Sequence, residues 1–246
     1  MNKLILFISL LILVACSEKK NPQEIIDFAI KTHGSHLFKS KKLEFDFRNK
    51  HYSVQYNGDE KVYTRSFQDD SLGSVYDELS NSSEFKRSIN DTIYQVNEEW
   101  KRRYGNSINS VLYFFQLPFG LNDPAVNKEY IGEKYINNLG YHKIKITFKQ
   151  KGGGEDFQDV FIYWINKEAN TVDYIAYSYA TDEGGSRFRQ AINRREIRGM
   201  VFQDYINYKS ASKSDDVENH DQLFIEGELK ELSTIVNENI IVSTPK

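Results

Sequence analysis

Two arginines separated by one residue, Arg187 and Arg189 in Gly184-Gly185-Ser186-Arg187-Phe188-Arg189-Gln190, carry the clearest chemical signal in the sequence. The double glycine turns the chain. Strand alternation then puts both guanidinium groups on one face, with Phe188, Gln190 and Ile192 on the other. Two guanidinium forks side by side suit a phosphate or a carboxylate. The same spacing suits ordinary cross-strand ion pairs with Asp173, Glu183 or Asp204, which contribute little, and the residue types favour that ion-paired face. Arg194 and Arg195 fall where apolar alternation breaks between Ile192 and Ile197, which predicts a bulge or bend.

Other reactive side chains are sparse. Glu155, Asp156 and Asp159 follow the triple glycine 152–154, where an acidic loop could draw a cation, but no calcium-loop spacing accompanies them and solvated turn acids are the better reading. His33 and His36 lie three apart near a helix end without a third ligand placed beside them, so a pair of polar helix-end residues is favoured over a zinc site. No nucleophile elbow, phosphate loop or dinucleotide glycine pattern occurs. A non-enzymatic protein without cofactor or metal is the expectation.

The aromatic strands offer a different chemistry. Over 157–166, Phe157, Phe161, Tyr163 and Ile165 occupy one face and Val160, Ile162 and Trp164 the other. Over 171–181, Ile175, Tyr177 and Tyr179 oppose Tyr174 and Ala176. An antiparallel sheet with one wet face alternates more cleanly, so both faces are covered by other elements or line a cavity. Tyr163, Trp164, Tyr177, Tyr179 and Asp159, with Arg187 and Arg189, are the candidate ligand contacts.

The single cysteine, Cys16, ends a charged start and a short apolar run, Leu4 to Val14, and a polar segment follows it. That run is too short for a comfortable permanent span, so residues 1–15 read as a signal peptide. Leu13-Val14-Ala15-Cys16 resembles the bacterial lipobox, in which the cysteine is acylated and becomes the first mature residue. Residues 16–21 then form a lipidated tether and 22–246 one domain. Several acyl chains at roughly 0.8 kcal/mol per buried methylene hold such a protein on a membrane. Ser17 favours the outer membrane, facing the periplasm. A net charge of −3 argues against nucleic acid as a partner, and the body is expected to be a monomer.

The elements that must position these groups follow from capping and periodicity. Asn21-Pro22-Gln23-Glu24 opens a helix whose apolar stripe runs Ile25, Ile26, Ala29, Ile30, His33 and Leu37. Period-two segments near 43–48, 52–56, 62–67 and, more weakly, 91–96 predict strands. Residues 97–117 read as two helical pieces divided at Gly105-Asn106 and stopped by Pro118 and Gly120. Further strands are expected near 128–136, 140–149, 157–166, 171–181, 187–197, 200–209 and 222–232, with a last one at 234–242. Polar residues 210–221 read as an exposed loop. The fold class is α+β, mostly antiparallel β.

This order of elements resembles the LolA/LolB-like lipoprotein superfamily, on "IGEKYINNLGYHKIKITFK" and "VFIYWINKEANTVDYIAYSY". "GGGEDFQDVFIYWIN" and "DEGGSRFRQAINRREIRGMVFQDYINYK" are similar more closely to an uncharacterised family of LolA-like lipoproteins from Gram-negative, Bacteroidetes-type bacteria. The resemblance implies a strongly curved, incomplete antiparallel barrel, with helices packed on or plugging its concave face and a lining able to hold acyl chains. It implies no catalytic residues. Two functions follow as expectations: binding of a lipid or lipoprotein acyl chain in the half-barrel, or an envelope protein–protein interaction module that uses an exposed aromatic and arginine face.

Overall fold

Asn21 accepts a hydrogen bond from the Gln23 amide at 3.0 Å and donates to Glu24 at 3.1 Å, and so starts helix α1, Pro22–Thr32, at the expected residue. The computed structural model describes residues 20–58, 60–81, 83–180, 184–212 and 216–245. The signal peptide, Cys16 and Glu183 lie outside the described residues. The helix expected to reach Leu37 stops earlier, because Gly34 takes a left-handed φ of 63° and the chain continues as a 3₁₀ turn, Ser35–Ser40. Glycine is required there by contact as well as by φ, since a Cβ would run into the Gly199 carbonyl oxygen.

Six strands follow: β1 Lys42–Phe47, β2 Lys50–Asn57, β3 Glu60–Asp69, β4 Gly73–Ser80, β5 Glu84–Ile89 and β6 Thr92–Tyr94. Strands β4 and β5 occupy a segment where alternation predicts none. Their inward positions, Val75, Asp77 and Leu79, then Phe85 and Arg87, mix charges into the apolar face. Asp77 takes Arg65 Nη2 at 2.6 Å and Arg87 Nε at 2.6 Å, and the set is buried under the next helix.

That helix, α2, runs unbroken from Glu98 to Gln116, which corrects the expected division at Gly105. Gly105 is buried there against Leu79, so the residue read as a break lets the helix approach the sheet closely. Gly105, Ile108, Leu112, Phe115 and Gln116 form its buried stripe.

The second half is a strand meander: β7 Val126–Ile136, β8 Leu139–Phe148, β9 Val160–Asn166, β10 Val172–Tyr179, β11 Gly185–Ile197 and β12 Met200–Lys209. Residues expected as a strand over 222–232 instead form a short helix α3, His220–Ile225, followed by β13 Lys230–Ile235 and β14 Glu238–Ser243. The polar loop expected over 210–221 is also corrected, because Val217, His220 and Asp221 are buried. Trp164, Tyr174 and Phe188 need a cover on their side of the sheet, and Phe224 of α3 stacks on Phe188 at 4.9 Å to provide it.

Two seven-stranded sheets result, ordered β14-β1-β2-β3-β4-β5-β6 and β13-β12-β11-β10-β9-β8-β7. All pairings are antiparallel, and the sheets do not close into a barrel. The two-residue link between β13 and β14 carries the chain from the border of one sheet to the border of the other, while α2 connects the far edges β6 and β7. Helix α2 gives Ile108, Leu112 and Phe115 to the core of the first sheet, and Tyr113 and Phe114 pack on the core of the second. It is the plug shared by both. Among the described residues no helix is long and apolar enough to cross a membrane.

Candidate ligand-binding cavity

Register decides which side chains share a face. Arg189, Ile175 and Tyr163 stand opposite one another across β11, β10 and β9, and Arg187, Tyr177 and Phe161 form the next column on the same face. Asn207 of β12 faces Arg189, and Tyr205 faces Ala191. This is the helix-covered face. Trp164 pairs with Tyr174 on the opposite face, where its indole N–H donates to Asp221 at 3.1 Å and Lys143 reaches the same carboxylate at 2.8 Å. A single site therefore does not join Trp164 to the arginines. The strand β9 is buried on both sides, as its sequence predicts, with α1 and α2 on one face and residues 217–224 on the other.

The arginine positions depart from the ion-paired expectation. Asp173 is held by Arg194 at 2.5 Å and Asp204 by Arg195 at 3.1 Å. Those two arginines reach the acids because the register slips between Ile192 and Arg195, at the bulge anticipated there, where Asn193 adopts a φ of 49°. Arg187 and Arg189 have no carboxylate partner among the described residues. Arg187 donates to the Ser186 carbonyl at 2.7 Å and lies 5.1 Å from the Tyr179 ring. Arg189 is 9% exposed, lies 3.5 Å from the centre of the Phe114 ring and donates to Tyr177 Oη at 3.0 Å. Its Nε is buried with no hydrogen-bond partner, and so is Asn207 Oδ1 beside it. Buried polar atoms are almost always satisfied, so two orphans in facing residues mark a place built for something else.

Both residues line a cavity of about 190 Å³ between α2 and the borders of the two sheets. Phe47, Val111, Phe114, Phe115 and Ile235 give it apolar walls, Tyr205 and Asn237 line it further, and Arg48 stands exposed at its rim. Arg48 likewise has no acid within ion-pair distance among the described residues, and no Asp or Glu lines the cavity. A larger hollow, about 360 Å³, lies on the outer face of the first sheet among Lys42, Glu44, His51, Ser53, Thr64 and Tyr76. Its side chains already pair with one another, as Ser53 with Thr64 at 2.7 Å and Lys42 with Glu44 at 2.8 Å, and Val62 and Tyr76 are the apolar and aromatic residues of its lining.

Of the other candidates, Tyr163, Tyr177, Tyr179 and Arg187 are not part of the cavity lining. Tyr163 is fully buried, and its hydroxyl lies 3.1 Å from that of Tyr113. Burial pushes its phenol far above the ordinary range. Tyr177 bridges Arg189 to Phe161, stacking on that ring at 5.2 Å, and Tyr179 lies 6.2 Å farther along. Asp159 sits in the loop before β9, where partial burial and then the charge of Asp156 push its carboxyl up to about 6. It does not line the cavity. Phe114, Val111, Asn207 and Arg48 were not singled out from sequence as ligand contacts. Val111 falls at helical spacing with Ile108, Leu112 and Phe115, and the one available signal was Phe114, apolar yet off that stripe.

The fold is similar to that of a DUF1329 family protein from Desulfovibrio piger, with a TM-score of 0.53, 9% identity, and 90% of this chain and 93% of that chain covered. It is similar also to a LolA superfamily protein from Nitrosomonas europaea, with a TM-score of 0.52, 10% identity, and 92% of this chain and 94% of that one covered. The expected LolA-like half-barrel is thus the fold observed. A search of curated proteins finds no match. Residues 2–238 match the model of a family of unknown function, DUF6503, and the chain belongs to that family.

Proposed function

We propose that this protein is a lipid-anchored envelope protein that holds a hydrophobic or amphiphilic ligand, such as a lipid or the acyl chain of a lipoprotein, in the cavity between α2 and the two sheets. The observation that carries this reading is Arg189: a buried guanidinium with no carboxylate partner among the described residues and an unpartnered Nε, in the lining of a cavity walled in part by Phe47, Val111, Phe114, Phe115 and Ile235. An unpaired buried cation is costly unless a ligand completes it. Acylation at Cys16 after removal of 1–15, a tether over 16–21, one domain over 22–246, a periplasm-facing outer-membrane position and a non-catalytic, monomeric role complete the proposal. The LolA-like fold and the missing nucleophile motifs support it.

Native mass spectrometry of the full chain purified from membranes tests the reading. An amphiphile should co-purify with the wild type and be depleted in Arg189→Met; protein that carries no adduct under any gentle extraction would contradict it.

A second reading, an interaction module, is favoured by one observation. Ile93 and Tyr94 on β6 and Trp100 at the start of α2 are each exposed, with Arg103 5.2 Å from the Trp100 ring. Capture of a defined envelope protein that is lost in Trp100→Ser and unaffected in Arg189→Met would favour that face.

A further inference from the structure

The cavity's own chemistry narrows the ligand, and this step rests on the binding role given above. We propose that it takes a single alkyl chain ending in a carboxylate, seated head first, with the carboxylate at Arg189 and Asn207.

Charge gives the sign. Two guanidinium groups, Arg189 inside and Arg48 at the rim, face a cavity without a carboxylate in its lining, so the ligand's polar end is anionic. The position of Arg189 gives the orientation. It is almost fully buried, whereas Arg48 is exposed, so the deepest polar contact lies at the inner end and the tail points outward past Phe47, Val111 and Ile235.

Donor geometry selects the head group. Arg189 has Nη2 committed to Tyr177 and its ring-facing surface committed to Phe114, which leaves the Nε–H as its free buried donor. The Asn207 carboxamide makes no hydrogen bond among the described residues. A carboxamide keeps its shape when turned over, so it can offer N–H in place of oxygen. Asn237 already commits its backbone N–H to Asp204 at 2.9 Å and one side-chain N–H to the Gln203 carbonyl at 3.1 Å. Two donors on facing strands match the two oxygens of a planar carboxylate. A phosphate monoester presents three terminal oxygens to these two orphaned positions.

Size limits the tail. A cavity of about 190 Å³ has room for roughly six water-sized groups at about 30 Å³ each. That accommodates a carboxylate and the first few methylenes, with any remainder outside, and it excludes a two-chain phospholipid lodged whole.

Titration of the full chain in lipid nanodiscs with octanoate labelled with carbon-13 at the carboxyl, read by NMR against empty discs, tests this. Octanoate should bind, octylamine should not, and octyl phosphate should bind at least 10-fold more weakly. Arg189→Met should weaken octanoate at least 10-fold with circular dichroism unchanged. Asn207→Asp, which sets a like charge against the head group, should do the same and carries the test if Arg189→Met does not fold. Equal binding of octanoate by both variants, or preference for octyl phosphate, overturns the carboxylate assignment. If octanoate fails to bind while a neutral or phosphorylated amphiphile still co-purifies, this inference falls and the binding role stands; if neither binds, both fall.

Discussion

The guanidinium of Arg189, on a strand of the second sheet, lies 3.5 Å from the centre of the Phe114 ring on α2. This contact ties the plugging helix to the sheet and holds the one buried cation of the cavity lining in place. Desolvated cation–π pairs are worth about 2 kcal/mol.

Phe114→Leu keeps apolar bulk and removes the ring face. Urea unfolding should show a loss of about 1 kcal/mol, and a double-mutant cycle with Arg189→Met should give a coupling of similar size. Strict additivity would mean that the stacking contributes nothing.

Asp77 separates two buried guanidinium groups, Arg65 and Arg87, and Arg87 also stacks on Tyr104 of α2 at 3.8 Å. Its removal leaves two uncompensated positive charges under the helix. Asp77→Ala should therefore cost about 3–5 kcal/mol, whereas replacing Arg65, Asp77 and Arg87 together with Met, Leu and Met should be nearly neutral. Chemical denaturation of the single and triple variants distinguishes charge compensation from simple packing.

His33 gives a pH dependence whose sign can be worked out. Val172 N–H donates to its Nε2 at 3.2 Å, and burial, with the charge of Arg194 added, pushes the imidazole down to about 4. The folded form keeps His33 neutral while the unfolded chain takes up a proton below 6.5. Its contribution is full above 6.5 and is lost as pH falls toward 4, about 3 kcal/mol in all. Asp159 works in the opposite direction: its raised carboxyl favours the fold at low pH and loses that contribution as pH rises through about 6. The two partly cancel in the wild type. Unfolding midpoints between pH 7.5 and 4.5 should fall more steeply in Asp159→Asn than in wild type and less steeply in His33→Gln.

Strands whose inward residues are apolar were legible, because alternation reports burial directly: Leu43 and Phe45 of β1 and the doubly buried run Val160–Asn166 are examples. β4 and β5 were not, since Asp77 and Arg87 occupy inward positions and are tolerated only through partners distant in sequence. Gly105 read as a helix break because propensity does not register the close approach of Leu79. At the site, alternation put Arg187 and Arg189 on one face, but of the two Arg189 alone lines the cavity, and the expected partners Asp173 and Asp204 pair elsewhere. The bulge before Arg195 hands Asp173 and Asp204 to the neighbouring arginines. Asn207 and Phe114 gain meaning only once three elements meet, which no local pattern records.

The claim that the space between α2 and the sheets is the binding site is tested most directly by filling it. Val111→Trp places an indole in the cavity lined by Phe47, Phe115 and Arg189, and Ile93→Ser alters an exposed residue elsewhere. The full chain in nanodiscs is titrated with an environment-sensitive fluorescent fatty-acid probe, with empty discs subtracted. Saturable binding by wild type and Ile93→Ser, reduced at least 10-fold in Val111→Trp with its thermal midpoint retained, is the result predicted; undiminished binding by folded Val111→Trp would contradict the account.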